Sequence, residues 1–304
     1  MADQRGPRGG GRGGSGRPQN RDGQNRGGQN RGGGQGRSDD RRGPQQRGAQ
    51  SRGPQDRGSG PRGRAGGRRD AEPAERTEAQ KIYDGPPIPD DVSAKDLDKF
   101  ARQELSGLPE KLADKVARHL VMAGVLLADD PELAHRHALA ARARAMRTGL
   151  VREATGETAY ACGNWAEALS EFRAAKRMTG RQIYAPMMAD CERALRRPEK
   201  ALEFDRPEVR AALDDAGNTE LSIVVAGARR DLGQVDAALQ LLESEPLNSN
   251  SRADWVTRLR YAYADTLLAA GRRADAITWF HRVAGTDGNG LTDVEDRLAE
   301  LEGS

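Results

Sequence analysis

Residues 155–175 read TGETAYACGNWAEALSEFRAA, and the fold is decided there. Apolar and small residues recur at helical spacing on both sides of Gly163-Asn164, a pair that ends one helix and turns the chain into the next. Gly156 in the first helix and Ala168 in the second are small, as required where two helices cross closely. Trp165, Leu169, Phe172 and Ala175 then give the second helix an apolar face for packing against the segment that follows. The stretch predicts a helical hairpin that cannot bury its own faces and needs neighbours like itself.

Such neighbours are present. Ala134, Ala168, Ala201, Ala238 and Ala276 mark successive units at separations of 34, 33, 37 and 38 residues. Residues 257–284 carry Ala264, Gly271-Arg272, Ala276-Ile277, Phe280 and Val283 in the same order, and residues 219–245 carry Ala226, Gly233-Gln234, Ala238-Leu239 and Leu242. Gly163, Gly233 and Gly271 each precede their marker alanine by five residues. Two units are degenerate: one places Ala134, Ala138 and Ala141 on one face behind an Asp129-Asp130-Pro131 turn, and the other has Ala189, Ala194, Ala201 and Leu202 after Pro186. Pro186 is compatible with a helix that begins about there. Ser93 with Asp96 predicts a capped start to a helix carrying Leu97, Phe100, Ala101 and Leu105. Thr292 and Glu295 predict a short closing helix with Val294, Leu298 and Leu301.

The small, turn, small, aromatic, small order and the 34-residue period resemble the tetratricopeptide (TPR) repeat. The expected fold is all-α: a right-handed α-solenoid of about five TPR-like helix pairs, with units near 112–147, 148–180, 181–215, 219–250 and 257–287 and a C-terminal cap at 292–301. The resemblance implies a concave groove lined by the first helices that takes a peptide or a partner helix, and it brings no catalytic residue. The inward positions are then Glu153, Glu157 and Tyr160; Pro186, Asp190 and Arg193; Ile223, Gly227 and Arg230; Arg258, Tyr261 and Asp265. The Lys and Asn clamp that tetratricopeptide proteins use for a C-terminal carboxylate is missing from this set. Tyr160, Asp190, Arg193, Arg230, Arg258, Tyr261 and Asp265 remain the candidate partner-groove residues, since Tyr and Arg supply most interface hot spots.

Ahead of the repeats the composition changes. Residues 1–69 hold 17 Arg, no Lys and five acids, about +12, which leaves about −9 for the remainder of a chain whose formal net charge is +3. No aromatic or branched aliphatic residue occurs before Ile82, so nothing there offsets the entropy of ordering a backbone. Residues 1–80 are expected to be a disordered Arg/Gly/Gln-rich tail, 81–92 a Pro-rich linker, and 93–304 the repeat domain. Gln-Asn-Arg recurs every five residues from Gln19, and Arg-Gly-Gly occurs at Arg8, Arg12, Arg26 and Arg31. This tail resembles the RGG boxes of RNA-associated proteins, where Arg supplies a fork for phosphate and a face for bases. Together, tail and degenerate repeats resemble an actinobacterial group of tetratricopeptide proteins.

Residues that carry chemistry elsewhere have plainer readings here. Cys162 and Cys191 lie in helical patterns without CxxC or Cys/His spacing and are expected to be buried reduced thiols. His135 and His137, two apart on a helix, point to different faces and exclude a shared metal. Asp287-Gly288-Asn289-Gly290 opens like a calcium loop, but Leu291 and Thr292 occupy the positions that should be Asp/Asn and Gly, so an inter-helix turn is expected. Asp39-Asp40, Asp129-Asp130 and Asp214-Asp215 fit turns and helix ends. No catalytic, cofactor or metal site is expected, nor a membrane segment. The expected function is a non-enzymatic cytoplasmic adaptor, with a protein partner in the groove and RNA or another polyanion on the tail. The alternative is an RNA-binding protein in which the tail, and possibly the repeats, do the main work. Oligomeric state is open, and self-assembly into a structural scaffold is a third possibility.

Overall fold

The computed structural model describes residues 77–288 and 290–303, and among them every regular element is helical, with no strand. The expectations for the tail, including Arg8, Arg12, Arg26 and Arg31, fall within residues 1–76 and lie outside the described residues. In chain order the helices are α1 (Glu78–Asp84), α2 (Lys99–Glu104), α3 (Glu110–Leu126), α4 (Pro131–Ala145), α5 (Gly149–Ala161), α6 (Trp165–Thr179) and α7 (Ala185–Ala194). They continue with α8 (Pro198–Leu202), α9 (Pro207–Arg210), α10 (Asp215–Asp231), α11 (Val235–Glu243), α12 (Asp254–Ala269), α13 (Arg273–Ala284) and α14 (Val294–Glu302). The main hairpins are α3 with α4, α5 with α6, α7 with α8, α10 with α11 and α12 with α13, and each also packs on the next through α4 and α5, α6 and α7, α7 and α10, and α10 and α12.

Four of these hairpins close with one turn. The amides of Asn164, Arg197, Gln234 and Arg272 donate to the carbonyls of Ala159, Glu192, Arg229 and Leu267, each five residues back, at 2.8–2.9 Å. This bond defines the Schellman ending of a helix, and the residue before the donor must take the left-handed conformation. Gly163, Gly233 and Gly271 do so at φ 70°, 74° and 75°. After α7 the same place, five residues before Ala201, is held by Arg196 at φ 61°. A side chain with a Cβ is strained there by about 1–2 kcal/mol, part of which glycine returns as lost backbone freedom. Arg196→Gly is therefore expected to stabilise the protein by about 1 kcal/mol, read as a higher urea midpoint at unchanged slope. A lower midpoint would mean that the arginine side chain contributes more than its backbone strain costs.

Packing follows from the small residues. All five marker alanines are fully buried. A Cβ on Gly156 would lie 2.6 Å from the Phe172 ring, so α5 and α6 approach as closely as glycine permits. Phe172 is itself fully buried and stacks at 4.7 Å on Tyr184, just before α7, joining one hairpin to the next. Phe280 fills the corresponding place between α12 and α13. Beside the first seam, the buried Glu171 carboxylate of α6 receives Arg142 of α4 and Arg152 of α5, both at 2.7 Å.

Three expectations are corrected. The segment assigned to the end of the tail and to the linker carries α1, capped by Thr77, whose hydroxyl accepts from the Gln80 amide. It packs on α4: Arg144 lies 4.3 Å over the Tyr83 ring, and Gly85, at φ 71°, sits where a Cβ would meet Ala140 and His119. The packed region therefore starts before residue 93. Second, Ser93 and Asp96 do form a capping box, but on a three-residue 3-10 turn; Asp98 then caps α2, and Phe100 is 76% exposed rather than part of an apolar face. Third, Cys162 is only partly buried, whereas Cys191 is fully so, with burial pushing its thiol up to about 12. At the far end α14 begins after Asp293, because Thr292 instead donates to Asp287, 2.6 Å away.

Candidate binding groove

The first helices α5, α7, α10 and α12 bring the candidate residues to one face, but they arrive already bonded. Tyr160 of α5 donates to Asp190 of α7 at 2.7 Å. Arg193, one turn further along α7, is 3.4 Å from Asp190 and donates to Asp231 at the end of α10 at 2.7 Å. Gly227 makes room for this link, since a Cβ there would lie 2.6 Å from the Arg193 guanidinium. Arg230 of α10 donates to Asp265 of α12 at 2.6 Å, and Asp265 also accepts from Arg297 of α14 at 2.8 Å. Arg258 of α12 reaches back to Glu220 of α10 at 2.7 Å, and Tyr261 donates to Asp293 ahead of α14.

The seven candidates thus form a ladder in which each hairpin holds the next by a charged or phenolic rung. Burial, reinforced by the neighbouring carboxylates, raises the Tyr160 and Tyr261 phenols above their ordinary range, so both are neutral donors. Glu157 is raised by burial, against the hydrogen bond it accepts from Tyr184. Of the other inward positions, Glu153 is buried beside Arg181, at 3.4 Å, and burial raises its carboxyl.

Between the rungs two cavities open. One of about 520 Å³ is lined by Tyr160, Pro186, Asp190, Arg193, Ile223 and Arg258, among others. The second, about 390 Å³, continues from Ile223 and Arg258 to Tyr261 and Asp293. The floor is apolar: Ile183 is 52% exposed, Leu291 is exposed, and Met187, Ile223 and Val224 are half-buried. Helical position alone identifies the rungs on α5, α7, α10 and α12. It misses Ile183, Glu220, Leu291 and Asp293, which lie in connections or one turn outside the expected positions and enter only through the offset between hairpins.

The histidines separate as their spacing requires. His135 faces Thr158 at 3.0 Å and Glu167 at 3.2 Å, while His137 faces His119 across α3 and α4 with 3.0 Å between the two Nδ1 atoms. Burial lowers both members of that pair, His119 to about 3. It is a neutral core contact in which one ring donates and the other accepts, beneath Gly85. The 18-residue separation hid it from sequence inspection. Among the described residues no group of three or more His, Cys, Asp or Glu is placed to hold a metal ion. No helix among them is long and apolar enough to cross a membrane. No protein-family model matches the chain, and no curated protein matches it.

Proposed function

We propose that residues 77–303 form a TPR-like α-solenoid that works as a non-enzymatic scaffold, holding a protein partner along the face of α5, α7, α10 and α12. The observation that carries this reading is the apolar floor from Ile183 to Leu291 between polar rungs. A groove with an apolar centre and a polar rim suits an extended peptide or an amphipathic helix, the two forms that such surfaces hold most readily. The four closing turns of one geometry support a repeat architecture of the tetratricopeptide type. The rungs neutralise the groove's arginines with its carboxylates, so a free C-terminal carboxylate has little to gain there, in keeping with the missing clamp. The expected setting is the cytoplasm, with the Arg-rich tail of residues 1–69 adding a second contact to RNA or another polyanion.

Ile183→Asp with Ile223→Asp places charge on the floor without touching a rung. Affinity purification of the full chain after nuclease treatment should recover a protein partner that this double variant loses at least tenfold. Equal recovery by the variant would remove the groove from the interaction. The 17 tail arginines favour a second reading, an RNA-binding protein in which the tail is the main element. Under that reading nuclease releases everything recovered and the double variant behaves as the parent chain.

A further inference from the structure

On the side formed by α6 and α8, the described region concentrates positive charge. Two adjoining cavities, about 210 and 360 Å³, share Arg173 and Arg177 in their walls. Six cations line them: Arg173, Lys176 and Arg177 from α6, Arg197 and Lys200 at α8, and Arg206 beyond it. Among the lining residues the acids are Glu192 and Glu203, and Glu192 is 1% exposed. Residues 70–304 carry about −9 in all, so this cleft runs against the charge of the body that bears it.

The six cations are not equivalent. The buried Glu192 carboxylate takes Arg173 at 2.6 Å and fixes where that guanidinium stands, while Arg197 lies 3.6 Å away, beyond hydrogen-bond distance. Arg206 lies 3.4 Å from Glu208. Lys176, Arg177 and Lys200 have no ion pair among the described residues, so no such pair there offsets their charge. The apolar wall includes the half-buried Leu195 and Phe204, which offer surface to a ring or a base. One oriented guanidinium, Arg197 beside it and three unpaired cations along adjoining cavities match a chain of phosphates better than a single anion.

We propose that this cleft binds the backbone of single-stranded RNA. The inference goes beyond the groove reading and does not depend on it, because cleft and groove share no rung. Single-stranded RNA is favoured over a phosphopeptide because the same chain carries 17 arginines in residues 1–69. Two positive regions are better matched by a long polyanion that can engage both.

The test uses the full chain and a fluorescein-labelled oligouridine, with anisotropy titrations over a series of KCl concentrations. Lys176→Gln, Arg177→Gln and Lys200→Gln together should weaken binding roughly tenfold near physiological salt and flatten the slope of log K against log[KCl] by about 2, at about 0.7 for each phosphate no longer neutralised. Thermal melts should be unchanged, since none of the three holds a folded-state ion pair. The charge-keeping combination Lys176→Arg, Arg177→Lys and Lys200→Arg should bind as the parent does. The proposal falls if the triple Gln variant keeps both affinity and slope, which leaves RNA to the tail, or if the parent chain does not bind the strand. It also falls if polyglutamate of matched length competes as well as RNA, which identifies an acidic protein surface as the occupant. The Ile183/Ile223 variant should leave RNA binding intact, so failure in the groove and failure in the cleft are separable.

Discussion

Phe172→Ala is expected to destabilise the protein by about 3–5 kcal/mol, the usual cost of removing a fully buried phenylalanine. The loss lies at the upper part of that range if the site cannot collapse. On one side the ring touches Gly156, whose backbone has no side chain to move inward. On the other it stacks on Tyr184, which is held by its hydrogen bond to Glu157 at 2.6 Å. The vacancy would open at the seam between two hairpins, so the loss should appear as a lower thermal midpoint and a broader transition, as the coupling between neighbours weakens. A loss below about 1 kcal/mol would mean that the seam repacks and that the hairpins are joined mainly by their polar rungs. Phe280→Ala tests the same logic in the last hairpin, where α13 supplies the buried ring.

Removing both arginines that serve Glu171, as Arg142→Met with Arg152→Met, is expected to cost about 3 kcal/mol near neutral pH. The carboxylate is buried and each guanidinium donates to one of its oxygens, so the double change leaves a buried charge without a partner. Breaking a buried pair from one side is far more damaging than replacing the whole of it by apolar groups, which is often close to neutral. Adding Glu171→Leu to the double variant should therefore recover most of the loss. Since methionine keeps an apolar stem, a triple variant as unstable as the double would place the loss at Glu167, which also accepts from Arg142 at 2.7 Å. Chemical denaturation of the parent, double and triple variants separates these outcomes.

The parts of the fold that were legible in the sequence are those set by local chemistry. Gly163, Gly233 and Gly271 announce their turns because only glycine takes the left-handed conformation without strain. Arg196 makes the same turn but sends no such signal; only its distance from Ala201 could have revealed it. The helix α1 was invisible because its stabilising contacts, Tyr83 with Arg144 and Gly85 with His119, come from residues far along the chain. The groove was legible as a set of positions and not as a set of bonds. Tyr160, Arg193, Arg230 and Tyr261 could be placed on one face by periodicity, but Asp231, Asp293 and Arg297 become their partners only through the offset of one hairpin against the next. The basic cleft was hidden by averaging, since the acidic total of residues 70–304 says nothing of how six cations gather on one side.

The ladder of rungs also divides the molecule's cohesion into two kinds that respond oppositely to dissolved ions. The buried seams around Phe172 and Phe280 are held by apolar contact, which sulfate or phosphate salts strengthen. The rungs on the groove face are partly exposed pairs such as Arg193 with Asp231 and Arg230 with Asp265, which the same ions screen. Sulfate or phosphate is therefore expected to weaken the pairs on that face while strengthening the seams beneath it, whereas a salt such as KCl would do only the first.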